Sequence, residues 1–141
     1  MTQPHTEQLT AVLREFALSL TRDAPQDSLS RTAAATLSVL DRLGPQRITA
    51  LAEHESVTQP AMTGLVQRLE ASGLASREPD PADGRAALIA ITPIGVKELV
   101  VRRQAHDAAI IARLDRLSSY DRALLAAAAP ALNHLTESHV H

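Results

Sequence analysis

Residues 57–92 read VTQPAMTGLVQRLEASGLASREPDPADGRAALIAIT, and the punctuation of this segment leaves few folds open to the chain. Thr58 is of a type that caps helices, and Met62, Leu65, Val66 and Leu69 fall at i, i+3, i+4 and i+7, which makes one buried stripe. Gly73 stands where a left-handed C-terminal cap belongs, and Leu74 just beyond it can pack back on Leu69 in a Schellman arrangement. Two short apolar runs follow, residues 74–78 and 86–92, joined by the turn-rich residues 79–85. A short helix over residues 48–54 is expected immediately upstream, with Thr49 as its cap. The order is helix, turn, helix, hairpin.

That order predicts a mainly α chain with a small β-hairpin wing, a winged helix-turn-helix, which is a shape that sets one helix in a DNA groove. The flanking sequence supplies further helices. Leu9, Val12, Leu13, Phe16 and Leu20 mark an amphipathic helix from about Pro4 to Arg22, and residues 23–30 read as linker. Ser30 is the expected N-cap of a helix to Leu43, with Ala33, Ala34, Leu37 and Leu40 inward and Gly44-Pro45 as its stop. Pro93 after Thr92 starts a helix running toward Leu117, because proline loses nothing at the first helical position. Ser118 with Asp121 resembles a capping box for a last helix, about Ser119 to Leu135, which Pro130 should kink.

These elements divide the chain into residues 1–29 (dimerisation helix and linker), 30–92 (DNA-binding region) and 93–141 (dimerisation helices). The assignment to dimerisation rests on excess apolar surface. Residues 108–112 are consecutively apolar, and a helix apolar on more than one face wants a second partner, most simply a second copy of the chain.

Composition narrows the function. The 141 residues are 45% hydrophobic, enough for a core, but Phe16 and Tyr120 are the only aromatics. No apolar run approaches the roughly 18 residues that span a bilayer, and the start MTQPHTEQ lacks the pattern of a signal peptide, so a cytoplasmic protein with no membrane partner is expected. Absence of cysteine excludes disulfides and thiolate metal ligation. His134, His139 and His141 do not share a helical face and read as a polar tail rather than a metal site. No phosphate loop, nucleophile elbow or His-Glu-x-x-His motif is present, so neither an enzyme nor a cofactor is expected.

The joint pattern is similar to that of the MarR family of transcriptional regulators, over nearly the whole chain. The residues that carry the likeness are Ile48-Thr49-Ala50-Leu51-Ala52, Val57-Thr58 with Met62-Thr63, and Leu65-Val66-x-x-Leu69-Glu70-x-x-Gly73-Leu74. Arg77, Asp80-Pro81-x-Asp83-x-Arg85 and Ile91-Thr92-Pro93-x-Gly95 complete it. The resemblance implies a dimeric repressor or activator, a repressor by expectation, acting on a pseudo-palindromic double-stranded operator. It also implies release by a small anionic or phenolic ligand. The ligand cleft would lie near the second helix and the start of the fifth, lined by aliphatics with Arg14 or His106.

With the Met62–Leu69 stripe buried, Gln59, Pro60, Thr63, Gly64 and Gln67 occupy the opposite face of their helix. Gln59 and Gln67 can bond base edges, while Pro60 and the Thr63 methyl can touch thymine methyls. A solvated face is the alternative, though such faces are usually richer in Lys and Glu, and close backbone approach to a groove would explain Gly64. Thr58, Arg47, Arg68, Arg77 and Arg85 are phosphate or wing contacts by position. Arg85 can reach a minor groove from the wing tip, or lock the hairpin by pairing with Asp83. Against this, residues 44–92 hold four arginines and six acids. That net negative charge motivates the rival reading, a helical protein-interaction module that has the shape without DNA binding.

Overall fold

In a computed structural model, which describes residues 3–22 and 29–137, the chain forms six helices and one hairpin. They are α1 (Gln3–Arg22), α2 (Arg31–Leu43), α3 (Ile48–His54), α4 (Gln59–Ala71), β1 (Ala75–Pro79), β2 (Ala87–Ile91), α5 (Pro93–Leu114) and α6 (Ser119–Glu137). Most of the expected linker and the terminal His139 and His141 lie outside the described residues. The chain falls into two compact units, residues 26–104 and residues 1–25 with 105–141.

The first unit is built by its caps. Ser30 Oγ accepts from the Ala33 amide at 3.1 Å, and Thr58 Oγ1 from the Ala61 amide at 3.3 Å, which start α2 and α4. Gly73, at φ 73°, closes α4: its amide donates to the Glu70 carbonyl, and the Leu74 amide to the Leu69 carbonyl, the two bonds of a Schellman motif. Thr92 then joins three elements. Its hydroxyl donates to the Gly73 carbonyl at 2.6 Å and accepts from the Gly95 amide at 3.1 Å, while its own amide donates to the Leu74 carbonyl. The end of α4, the hairpin and the start of α5 are thereby tied at one point. Gly95 is needed there, since a Cβ would overlap the Leu74 carbonyl oxygen.

The core of this unit is aliphatic, with Leu37, Leu40, Leu51, Met62, Val66 and Ile89 essentially sealed from solvent. The expected stripe of α4 is buried in full. Thr36 is also sealed, and its hydroxyl has no hydrogen-bond partner among the described residues. β1 and β2 pair antiparallel, Ala75 opposite Ile91 through Pro79 opposite Ala87. Gln46 adds a bridge on the other edge of β2, exchanging both backbone bonds with Ile89.

α3 spans the expected residues 48–54, but that bridge corrects its cap. Thr49 does not cap it: Arg47 holds the cap position without a side-chain bond, and the Leu51 amide donates to the Arg47 carbonyl. The paired Gln46 fixes where the chain leaves the sheet, so the cap falls at Arg47, two residues before Thr49. β1 starts one residue later than its apolar run and β2 is two residues shorter than its run, because Leu74 and Thr92 are taken up by the closure of α4 and the start of α5.

In the second unit Ser118 Oγ accepts from the Asp121 amide at 3.0 Å and donates to the Asp121 carboxylate, opening α6. The helix continues through Pro130. Arg113, late in α5, donates to the Ser19 hydroxyl and carbonyl of α1. Apolar burial is slight: α6 has no buried residue, Phe16 of α1 is 51% exposed and Tyr120 71%. No helix among the described residues is long and apolar enough to cross a membrane.

Candidate nucleic-acid interface

α3, the tight turn at Ser56 and α4 form the helix-turn-helix. Ser56 takes a left-handed φ of 52°, a conformation unusual outside glycine, and its amide donates to the Glu53 carbonyl. The turn presents the outer face of α4. Gln59, Pro60 and Gln67 are exposed there, Thr63 and Gly64 half-buried. Neither glutamine amide has a hydrogen-bond partner among the described residues. The Thr63 hydroxyl donates to the Gln59 carbonyl at 2.9 Å, so its proton is spent on its own helix and the methyl remains for a partner.

The arginines divide into two kinds. Arg47, although 48% exposed, donates from Nε at 2.8 Å and from Nη2 to Asp80 Oδ2, and Asp80 is buried. Asp80 Oδ1 accepts from the Ala82 amide at 2.9 Å. That amide and the Arg47 guanidinium hold the Asp80 carboxyl below its ordinary value of 3.8, outweighing the opposing effect of burial. Arg47 is therefore a wing brace in this fold. Arg77, at the wing base, makes an ion pair with Glu70 of α4, Nε to Oε1 at 2.8 Å. Arg68 and Arg85 have no ion-pair partner among the described residues.

The wing tip is braced otherwise than by the side-chain pairing considered for Asp83 and Arg85. The Asp83 carboxylate accepts from the Arg85 backbone amide at 3.0 Å, an Asx turn, which leaves the guanidinium exposed. The reason is spacing: two residues on, the amide lies within reach of the short Asp side chain.

Pairing also reorganises the acidic residues of the module. Asp80 is taken up by Arg47 and Glu70 by Arg77. Glu53 and Glu55 sit at the end of α3, and Glu78 and Asp83 on the hairpin. Glu70 is the one acid on α4, so the outward face of that helix carries no free negative charge.

An open cleft of about 470 Å³ lies in the same unit, between the start of α2, the C-terminal half of α4 and the first turns of α5. Ser30, Arg68, Ser72 and Glu98 give it polar edges over Leu65, Leu69 and Ile94. It adjoins the second helix and the start of the fifth, and neither Arg14 nor His106 lines it. Arg14 is exposed on α1, and His106 lies further along α5, half-buried, with Nε2 unpartnered among the described residues.

Residues 29–87, which span α2 to the hairpin, match the MarR family model. An HTH-type transcriptional regulator of Mycobacterium leprae is 30% identical over 92% of this chain and 90% of its own length. The chain belongs to the MarR family. It is thus a DNA-binding regulator of transcription rather than an enzyme. The regulator is also similar to a transcriptional regulator of Pseudomonas aeruginosa, with TM-score 0.78 and 28% identity over 95% of this chain and 97% of that one. A MepR mutant from Staphylococcus aureus, solved bound to an oligodeoxyribonucleotide, shares the fold at TM-score 0.70 and 20% identity, over 92% and 96% of the two chains.

Proposed function

We propose that the regulator acts as a cytoplasmic homodimer on a pseudo-palindromic double-stranded operator, chiefly as a repressor. In this reading α4 enters the major groove, Gln59 and Gln67 hydrogen-bond base edges, and Pro60 and Thr63 supply apolar contact. Arg68 and Arg85 neutralise phosphates, and the Thr58 turn lies against the backbone. Arg47 and Arg77 set the wing, each through its acidic partner. The observation that carries the reading is the outward face of α4, which is free of acid and holds two unpartnered amide side chains. The MepR complex with DNA, on the same fold, supports it. The same face counts against a protein-interaction module, whose only motive was net charge. Exposed apolar residues along α1 and α6 support the dimer, and the α2–α4–α5 cleft, with Arg68 at its edge, suits a small anionic or aromatic effector.

Binding of Gln59→Ala and Arg85→Ala to a selected operator and to random duplex, over a range of salt, tests this. Gln59→Ala should cost about 1–3 kcal/mol on the operator and little on random DNA. Arg85→Ala should weaken both and flatten the salt slope by about one unit per contact. Equal loss on both duplexes for Gln59→Ala would refute the base-reading role. Absence of binding by the unaltered protein at low salt would refute the DNA reading altogether.

A further inference from the structure

The chain has five glycines. Gly44 and Gly73 have positive φ, Gly95 has no room for a Cβ, and Gly84 lies in the wing turn, where small residues are ordinary. Gly64 has none of these reasons. It lies inside α4 without a positive φ, and a Cβ built on it meets only Arg68 Nη1, at 3.6 Å, an ordinary contact with a flexible side chain. Glycine is among the poorest residues for a helix interior. The fold by itself would be better served by alanine, so the bare backbone has its use outside the fold.

Its position says where. Gly64 lies opposite the stripe of Met62, Leu65, Val66 and Leu69, four residues after Pro60 and three before Gln67. We infer that Gly64 is a specificity-determining residue, whose missing side chain lets base edges in the major groove come against the backbone of α4. This rests on the DNA reading above and adds what fixes the depth of the helix. A methyl at position 64 would hold the helix off by about one carbon–carbon bond, ~1.5 Å. A hydrogen bond from Gln67 to a base, near 2.9 Å when made, would then exceed its working range of about 3.5 Å. Gly64 thus acts through the reach of Gln67, and its effect is confined to sequences that Gln67 reads.

The test selects a duplex from a random-sequence pool with the unaltered full-length protein, then measures Gly64→Ala and Gly64→Val for thermal unfolding and for binding to that duplex and to random DNA. Gly64→Ala should melt about 2–4 °C higher, as a helix gains from losing glycine. It should bind the selected duplex about tenfold more weakly, and random DNA nearly as before. Gly64→Val should lose more on the selected duplex, and selection repeated with Gly64→Ala should lose base preference under the centre of α4. Unchanged affinity for the selected duplex would overturn the inference and leave the DNA reading intact. So would a lowered melting temperature accompanying the loss, since Gly64 would then be structural. If the unaltered protein enriches no sequence, the DNA reading itself fails, a result independent of any variant.

Discussion

Residues 29–104 and the helices α1 and α6 are both rich in leucine and alanine, yet they treat those residues in opposite ways. In the first region Leu37, Leu40, Leu51 and Met62 are sealed around a common core. In the second, Leu9, Val12, Phe16, Leu124 and Leu135 are each about half exposed or more. Monomeric proteins rarely leave large contiguous apolar surface in water. The winged region closes a core within one chain, although Leu43, Ile94 and Val101 at its edges are each half exposed or more. Along the terminal helices these apolar side chains stay half exposed or more, the surface on which the proposed dimer rests. Under the proposed dimeric function, that division would separate a DNA-reading region from a surface that pairs two copies.

The contrast breaks most visibly at α6. Leu124 and Leu135 are eleven residues apart, hence on one helical face, and both are exposed. Replacing both with Glu should reduce the particle from twice the chain mass to the chain mass by light scattering. Leu124 and Leu135 are already about half covered within one chain, so each removes about 0.8–1.5 kcal/mol of association energy per chain when lost from an interface. If the unaltered protein already scatters as a single chain, the terminal faces are not a dimer surface and the contrast loses its meaning.

Gly95→Ala probes the opposite side, the self-sufficiency of the winged region. Its Cβ would overlap the Leu74 carbonyl oxygen and stand 2.8 Å from Ile91 Cγ1, at the point where Thr92 ties α4, the hairpin and α5. Denaturant unfolding should show a loss of about 3 kcal/mol. A loss below about 1 kcal/mol would mean that this junction yields easily and that the region is less rigid than its bonds suggest.

A smaller effect is expected at the wing brace. Asp80 has its acidity strengthened in the fold, so the stability it adds is present above its ordinary value of 3.8 and lost as pH falls through the lower folded value. Asp80→Asn should lower stability near neutrality and flatten the acid-side decline between about pH 5 and 2. The wing would move with it, weakening DNA binding while the dimer persists. An unchanged acid profile would show that the Arg47 pairing contributes nothing to the fold.

The elements of the winged region were legible because their signals are local. Ser30, Thr58 and Ser118 cap the helices they were expected to cap, and Gly73 with Leu74 forms the Schellman closure. The α4 stripe fixes which face is buried, and therefore which face is offered. Such features depend on residues a few positions apart, whose side chains meet through helix geometry alone. What tertiary structure decided is every partnership across the chain. Arg47 reads as a free phosphate contact until folding brings it to Asp80, 33 residues on. Arg77 meets Glu70 only because the hairpin turns back along α4, and Gln46 joins β2 by a single bridged residue that leaves no periodic trace. Charge pairing follows proximity in space, and four arginines among six acids allow many pairings. The sequence by itself determined the helices, the hairpin and the outward face of α4. The fold alone selected which arginines brace the wing and which remain available to a partner.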